Sequence, residues 1–469
     1  MATINSPASM DVAPADFRLT ADKYTTVDQL INTTKDLVIP ELVETYGDQG
    51  ITGFLRLTGA INSGGSADQV DWWEVGRRHK TASINCGTGT GETITGAVTA
   101  EASADLDPAT SKFFQTNDVL MNTVTGARLL VVDDLRSSDV DGVTLARLDG
   151  VAIANDGGTY TASTAETYIV LGNIYAQGTN QPEHFLDTDV VRQKNPFMIV
   201  KDRFQVNGSQ ATNIGWVNVG GGEYRWFMYG EQEARKRFED RREMMMLFGE
   251  QNGEASTSIL KDLPGSDGYF TQVDARGIKV TNANANPLDS FAEFDDIIIE
   301  LDKQGAPSEY AMYLNRKQDL AIDDMLASGI ATSVTAGLPG QFGAFQNSAD
   351  MAVQLGFKSF TRGGYTFHKH DWKLLNDPNL LGASTKFQGA MLPLTQVADA
   401  RTGMKAPSLA MYYKEANGYS REMEHWVTGG GVLGHTNNGD TGADVATFHY
   451  RSEVALCVRA ANQHVILKG

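Results

Sequence analysis

The stretch that decides the fold class runs from Asn286 to Leu326, NPLDSFAEFDDIIIELDKQGAPSEYAMYLNRKQDLAIDDML. Phe291, Phe294, Ile297, Ile298 and Leu301 recur at helical spacing, which gives one face of a helix that must be buried. Asn286 followed by Pro287 supplies the residue types of a helix start, a capping side chain and a ring whose fixed φ suits the first turn. Gly305-Ala306-Pro307 stops the helix. Glu309 to Leu314, EYAMYL, then reads as a strand, and Arg316 to Leu326 as a second amphipathic helix. A helix, strand, helix order belongs to a layered α/β domain.

Upstream lies the strongest helix pattern, Glu223 to Phe248, introduced by Gly220-Gly221-Gly222 and rich in good helix formers. At 100° per residue Tyr224, Phe227, Met228, Phe238, Met245 and Met246 fall on one side, and Glu231, Arg235 and Arg242 fall there too. Glu231 to Arg235 and Glu233 to Arg237 have the i, i+4 order of stabilising pairs. The segment reads as a long, half-exposed structural spine. Its basic run, Arg235-Lys236-Arg237 and Arg241-Arg242, is diluted by Glu231, Glu233, Glu239, Asp240 and Glu243, so a charged helix face is the favoured reading over phosphate contact.

Between about residues 80 and 180 the composition shifts to Thr, Gly, Ala and Asp, with short apolar runs at 118–121, 129–132, 143–145 and 168–171. Thr125-Gly126, Asp141-Gly142, Asp149-Gly150 and Gly157-Gly158 separate them with turn residues. The pattern predicts a small antiparallel barrel or sandwich. Residues 1 to about 50 read as an extended arm followed by a short helix that ends near Pro40. The chain closes on strand formers, Phe448 to Val458 and His464 to Leu467.

The 469 residues suit two to four domains at roughly 100–200 residues each. A net charge of −19 argues against sequence-specific nucleic-acid binding. Two cysteines, Cys86 and Cys457, make neither a disulfide framework nor a thiolate cage, and a reducing birthplace is expected. The opening MATINSPASMDVAPADF has no basic stretch followed by an apolar run, and no apolar run reaches bilayer length, so neither secretion nor membrane insertion is expected.

Motifs that carry chemistry are sparse. Gly87-Thr88-Gly89-Thr90-Gly91 lacks the Lys and the third spaced glycine of a phosphate loop, and Gly220-Gly221-Gly222 is followed by Glu223. On a strand, His368 and His370 share a face and Asp371 takes the other, so a zinc site would still need a third ligand. Asp295-Asp296 and Asp323-Asp324 read as solvated helix faces. No cofactor, metal or catalytic residue is assigned, and the chain is expected not to be an enzyme. The alternatives left open are a β-rich adhesin or other structural protein, and a metal-dependent hydrolase built on His368, His370 and Asp371.

Three stretches together resemble the major capsid proteins of tailed bacteriophages, whose fold is shared with herpesviruses. They are RSEVALCVRAANQHVILKG from Arg451 to Gly469, with its Arg-x-Glu strand start and I-L-K-G ending, the unit from Leu288 to Leu326, and the spine helix from Glu223 to Phe248. The resemblance implies an α+β fold in the following order: an arm (1–50), an extended loop (51–194) carrying an inserted β domain at about 85–180, and a peripheral domain (195–262) with the spine helix at 223–248. An axial domain (263–395), the peripheral sheet (396–458) and a terminal strand returning to the axial domain (459–469) complete it. It further implies self-assembly as hexamers and pentamers into an icosahedral shell around phage DNA, without sequence-specific binding and without a membrane. The chain would be made in the host cytoplasm and reside in the virion.

Scaffold, portal and auxiliary capsid proteins are the implied partners; the short polar start suggests a separate scaffold. Some relatives cross-link subunits through a Lys and an Asn, but neither Lys80 nor Lys112 matches well enough to be carried over. The residues expected at the assembly interface are Trp72, Trp73, Arg77 and Arg78 in the loop and Glu231, Arg235 and Arg242 on the spine, adjacent core aromatics being the bland alternative for the tryptophans.

Overall fold

A computed structural model describes residues 55, 59–77, 79, 81–86, 93–101, 114–134, 142–149, 166–182, 190–211, 226–252, 263, 265–283, 285–335, 359–379, 382, 384–398, 405–429 and 445–469. The expected arm at 1–50, the glycine clusters at 87–91 and 220–222, Lys80, Lys112 and Arg78 lie outside them. The fold is mixed α+β and rich in strands. In chain order the principal elements are strands β1 (Gln69–Val75), β2 (Val190–Pro196) and β3 (Met198–Asn207), then helices α1 (Trp226–Phe248) and α2 (Phe291–Lys303). Strand β4 (Glu309–Leu314), helix α3 (Arg316–Thr335) and strands β5 (Tyr365–Asp371), β6 (Glu424–Gly429), β7 (Val445–Val458) and β8 (Val465–Lys468) follow.

The chain divides into two compact units, Asp71–Lys194 and the remainder. In the first, β1 pairs with β2 as a two-stranded ribbon, and the strands Thr81–Cys86, Thr93–Glu101, Asp118–Asn122, Arg128–Asp134, Gly142–Arg147 and Glu166–Asn173 close into a barrel. Closure removes the exposed edges that would otherwise invite foreign strands. Ile84, Phe114, Leu120, Leu129, Leu145 and Tyr168 fill its interior. The Thr125-Gly126 turn works as its sequence demands, with Gly126 at φ +72°.

The second unit holds two sheets. One is built around β7, whose fourteen residues pair with all ten positions of β3 on one side and with β6 and Leu409–Tyr413 on the other. Helix α1 covers one face of this sheet, packing Ala234 and Phe238 on Phe448 and Tyr450. Gly230 permits the approach, because a Cβ there would stand 2.7 Å from the Phe204 ring. Phe238 and not Met245 carries the packing; Met245, which helical phase placed with it, is exposed, since the buried stripe runs through Ala234, Phe238, Arg242 and Met246.

In the other sheet β4 is central, parallel to β5 and antiparallel to Phe387–Pro393, and β8 pairs with the latter. Tyr310, Met312 and Leu314 pack into the core under α2 while Tyr313 packs against the core on the opposite face, which is why EYAMYL is nearly continuous in apolar residues instead of alternating. Helix α2 lays Phe294, Ile297 and Leu301 on this sheet. Its cap is Ser290 and not Asn286: Ser290 accepts from the Glu293 amide while Glu293 reaches back, a reciprocal capping box. Helix α3 runs to Thr335, beyond the expected Leu326. The chain leaves the first sheet at Val458 and enters the second at Val465, so its last residues tie both layers into one unit.

Candidate assembly surface

Alternation along β1 separates the two adjacent tryptophans. Trp72 is 7% exposed and donates its indole N–H to Glu74 at 3.1 Å, while Trp73 is 64% exposed. The Arg192 guanidinium lies 5.9 Å from the Trp73 ring centroid and pairs with Asp71 at 2.5 Å. Val75, Val190 and Val191 on the same ribbon are also exposed. An extended ribbon has little interior of its own, so an aromatic held out by an ion pair and flanked by valines is the composition of an interface anchor. Arg77 is exposed as well.

The spine residues behave differently. Glu231 accepts from the Tyr450 hydroxyl at 2.9 Å and lies 3.7 Å from His425, so it fastens α1 to its own sheet. Burial first, then Glu231, pushes the Tyr450 hydroxyl well above its ordinary range. Arg235 reaches Glu239 and not Glu231. Arg242, read from sequence as a surface contact, is 2% exposed and donates to the Glu422 carbonyl at 3.4 Å. The shared helical side is therefore a packing face that includes charges, because polar partners wait on the sheet.

Sequence reading missed the carboxylates of that sheet. Glu424 and Glu453 are nearly buried, Glu424 paired with Arg451, and Glu453 with Arg421 at 2.6 Å and Lys414 at 3.5 Å. Burial opposes ionisation of Glu424, yet Arg451 and Tyr419 as hydrogen-bond donors and the charges of Arg451 and Arg421 hold its carboxyl below the ordinary range. The Arg451-x-Glu453 alternation was the available signal, since both residues must share a strand face.

No family model and no curated protein matches the chain. Among solved structures it is similar to the capsid of cyanophage P-SCSP1u, at 9% identity over 98% of this chain and 99% of that one, with a TM-score of 0.40. A structure of Microbacterium phage Oxtober96 matches at 7% identity over 95% and 99%, with a TM-score of 0.39. The SrpI encapsulin complex of Synechococcus elongatus matches at 10% identity over 60% and 77%, with a TM-score of 0.31. At TM-scores below 0.5 these likenesses decide neither fold nor function, which rest on the residues of this chain.

Of the two histidines on β5, one is engaged with an aromatic ring. His370 stacks on Tyr313 with ring centroids 5.4 Å apart, and burial, then His368, lowers its pKa. Asp371 accepts from Arg316 and from Asn376 at 3.2 Å. Among the described residues no group of three or more His, Cys, Asp or Glu is placed to hold a metal ion, and no helix is long and apolar enough to cross a membrane. Two carboxylates read as solvated are paired: Asp295 takes Arg362 in a two-point contact, and Asp323 takes the buried Lys369.

Proposed function

We propose that the chain is a shell-building subunit of the tailed-phage major capsid type, assembling as hexamers and pentamers into an icosahedral virion shell that encloses DNA. The observation that carries the reading is the ribbon β1–β2, which holds Trp73 in solvent beside Asp71 and Arg192 and exposes Val75, Val190 and Val191. Such a surface is covered by a neighbour in an assembly that joins many copies through extended appendages. The sequence resemblance supports the same reading, as does the order of ribbon, barrel, spine helix and two tied sheets. Heterologous contacts between identical chains close shells, and a scaffold and portal are the partners such closure calls for.

Replacing Trp73 tests the reading. Trp73→Ser removes an exposed ring, so the monomer stays folded by circular dichroism while assembly, followed by light scattering, is lost or delayed. Unchanged assembly of Trp73→Ser would remove the ribbon from the interface.

A further inference from the structure

The face of the β3–β7–β6 sheet turned away from α1 carries positive charge that the fold does not neutralise. On β3, Val200 and Phe204 pack toward α1, whereas Lys201, Arg203 and Gln205 alternate to the other side and are exposed. Their register partners on β7 are Arg451, His449 and Thr447, which share that face because directly opposed residues of an antiparallel pair point the same way. Trp426 of β6 stands opposite His449, ring centroids 5.1 Å apart and nearly parallel, with the Arg451 guanidinium 5.0 Å from its ring. Burial, then the neighbouring Arg203, lowers the pKa of His449, so the imidazole is neutral near pH 7.

The carboxylates of this face, Glu424 and Glu453, are already matched by Arg451, Arg421 and Lys414. Lys201 and Arg203 have no side-chain acceptor among the described residues. Helix α1 shows the opposite: Arg235 is matched by Glu239, Arg241 by Asp202 and Arg242 by the Glu422 carbonyl. The basic run visible in the sequence is thus largely neutralised within the fold, and an unmatched pair sits on the far side of the sheet.

A chain of net charge −19 repels a phosphate backbone at a distance, so contact with nucleic acid needs a local positive face. Lys201 and Arg203, two residues apart on one strand, stand about 6.6 Å from each other and present a point charge beside a planar fork. A flat sheet surface offers no element that enters a groove, so such a contact carries no sequence information. We propose that this face, through Lys201 and Arg203, holds the phosphate backbone of nucleic acid without reading its sequence. The identity of the partner rests on the shell-subunit reading; the unmatched charge does not.

The test is fluorescence anisotropy of a labelled random-sequence DNA duplex of about 30 base pairs, titrated with the purified full chain as salt rises. Wild type binds at low salt, and Lys201→Glu with Arg203→Glu weakens binding at least about tenfold and lowers the log–log salt slope by about 2. Arg241→Gln on α1, a cation already matched by Asp202, leaves both unchanged, and Lys201→Gln with Arg203→Gln, neutral at exposed positions, reproduces the loss of slope. Equal binding by wild type and the double Glu variant overturns the proposal. So does a wild type that binds no duplex at low salt; if polyglutamate binds instead, the face serves an acidic protein segment. Light scattering of the same samples keeps the two readings apart: normal assembly with unchanged DNA binding sinks this proposal alone, and charge-dependent DNA binding without assembly sinks the shell reading alone.

Discussion

At the scale of single residues, buried polar groups set the chemistry, and few of them were legible. His464 is fully buried, shares a hydrogen bond with the Tyr269 hydroxyl at 3.2 Å, and its Nε2 has no partner among the described residues. Burial, with Arg276 second, pushes its pKa down to about 3 from 6.5. The unfolded imidazole takes up a proton below about pH 6.5 and the folded one does not, so this contribution is intact above that pH. It is lost as pH falls toward 3, by up to about 1.4 kcal/mol per unit. His464→Gln should therefore flatten the fall in stability between pH 6.5 and 4 relative to wild type, measured by urea unfolding; parallel curves would contradict the assignment. Lys369, 6% exposed between Asp319 at 2.9 Å and Asp323 at 2.5 Å, is the second case. Lys369→Ala removes the cation shared by both carboxylates, though Asp319 keeps Arg316 at 3.0 Å, and should cost about 1.5–3 kcal/mol, read in the same assay. Neither partner set could be seen in sequence, because strand β5 meets helix α3 only through tertiary packing.

At the scale of elements the sequence was more informative, and the errors have physical causes. EYAMYL spans the strand found, since a central strand covered on both sides needs apolar residues throughout. The start of α2 was placed four residues early because Asn286-Pro287 has cap chemistry, yet Ser290 with Glu293 satisfies two free N–H groups at once. Ser290→Ala should lower stability by about 0.5–2 kcal/mol in thermal unfolding, and Asn286→Ala by less. Helical phase put Met245 and Arg242 on the same side as Phe238; the fold buries Arg242 against the Glu422 carbonyl and leaves Met245 exposed. The adjacent tryptophans divide by strand alternation, one inward and one outward, which gives Trp73 alone the role open to an interface anchor. The basic run on α1 and its dilution by Glu239 were visible, but its partner Asp202 on β3 was not, and so the unmatched cations of β3 passed unnoticed.

At the scale of the whole molecule, two features bear on what the chain does. The unit of two sheets is tied by a chain end that crosses from β7 in one sheet to β8 in the other. The barrel is closed and has its own interior, while the ribbon beside it keeps apolar side chains in solvent. In the proposed assembly a neighbouring copy covers this ribbon. The most direct measurement is the particle size of the purified wild-type chain at rising concentration, by light scattering with negative-stain electron microscopy, with and without a co-expressed scaffold. The shell-subunit account predicts rings, curved sheets or closed shells; a monomer or dimer that persists under every condition would contradict it.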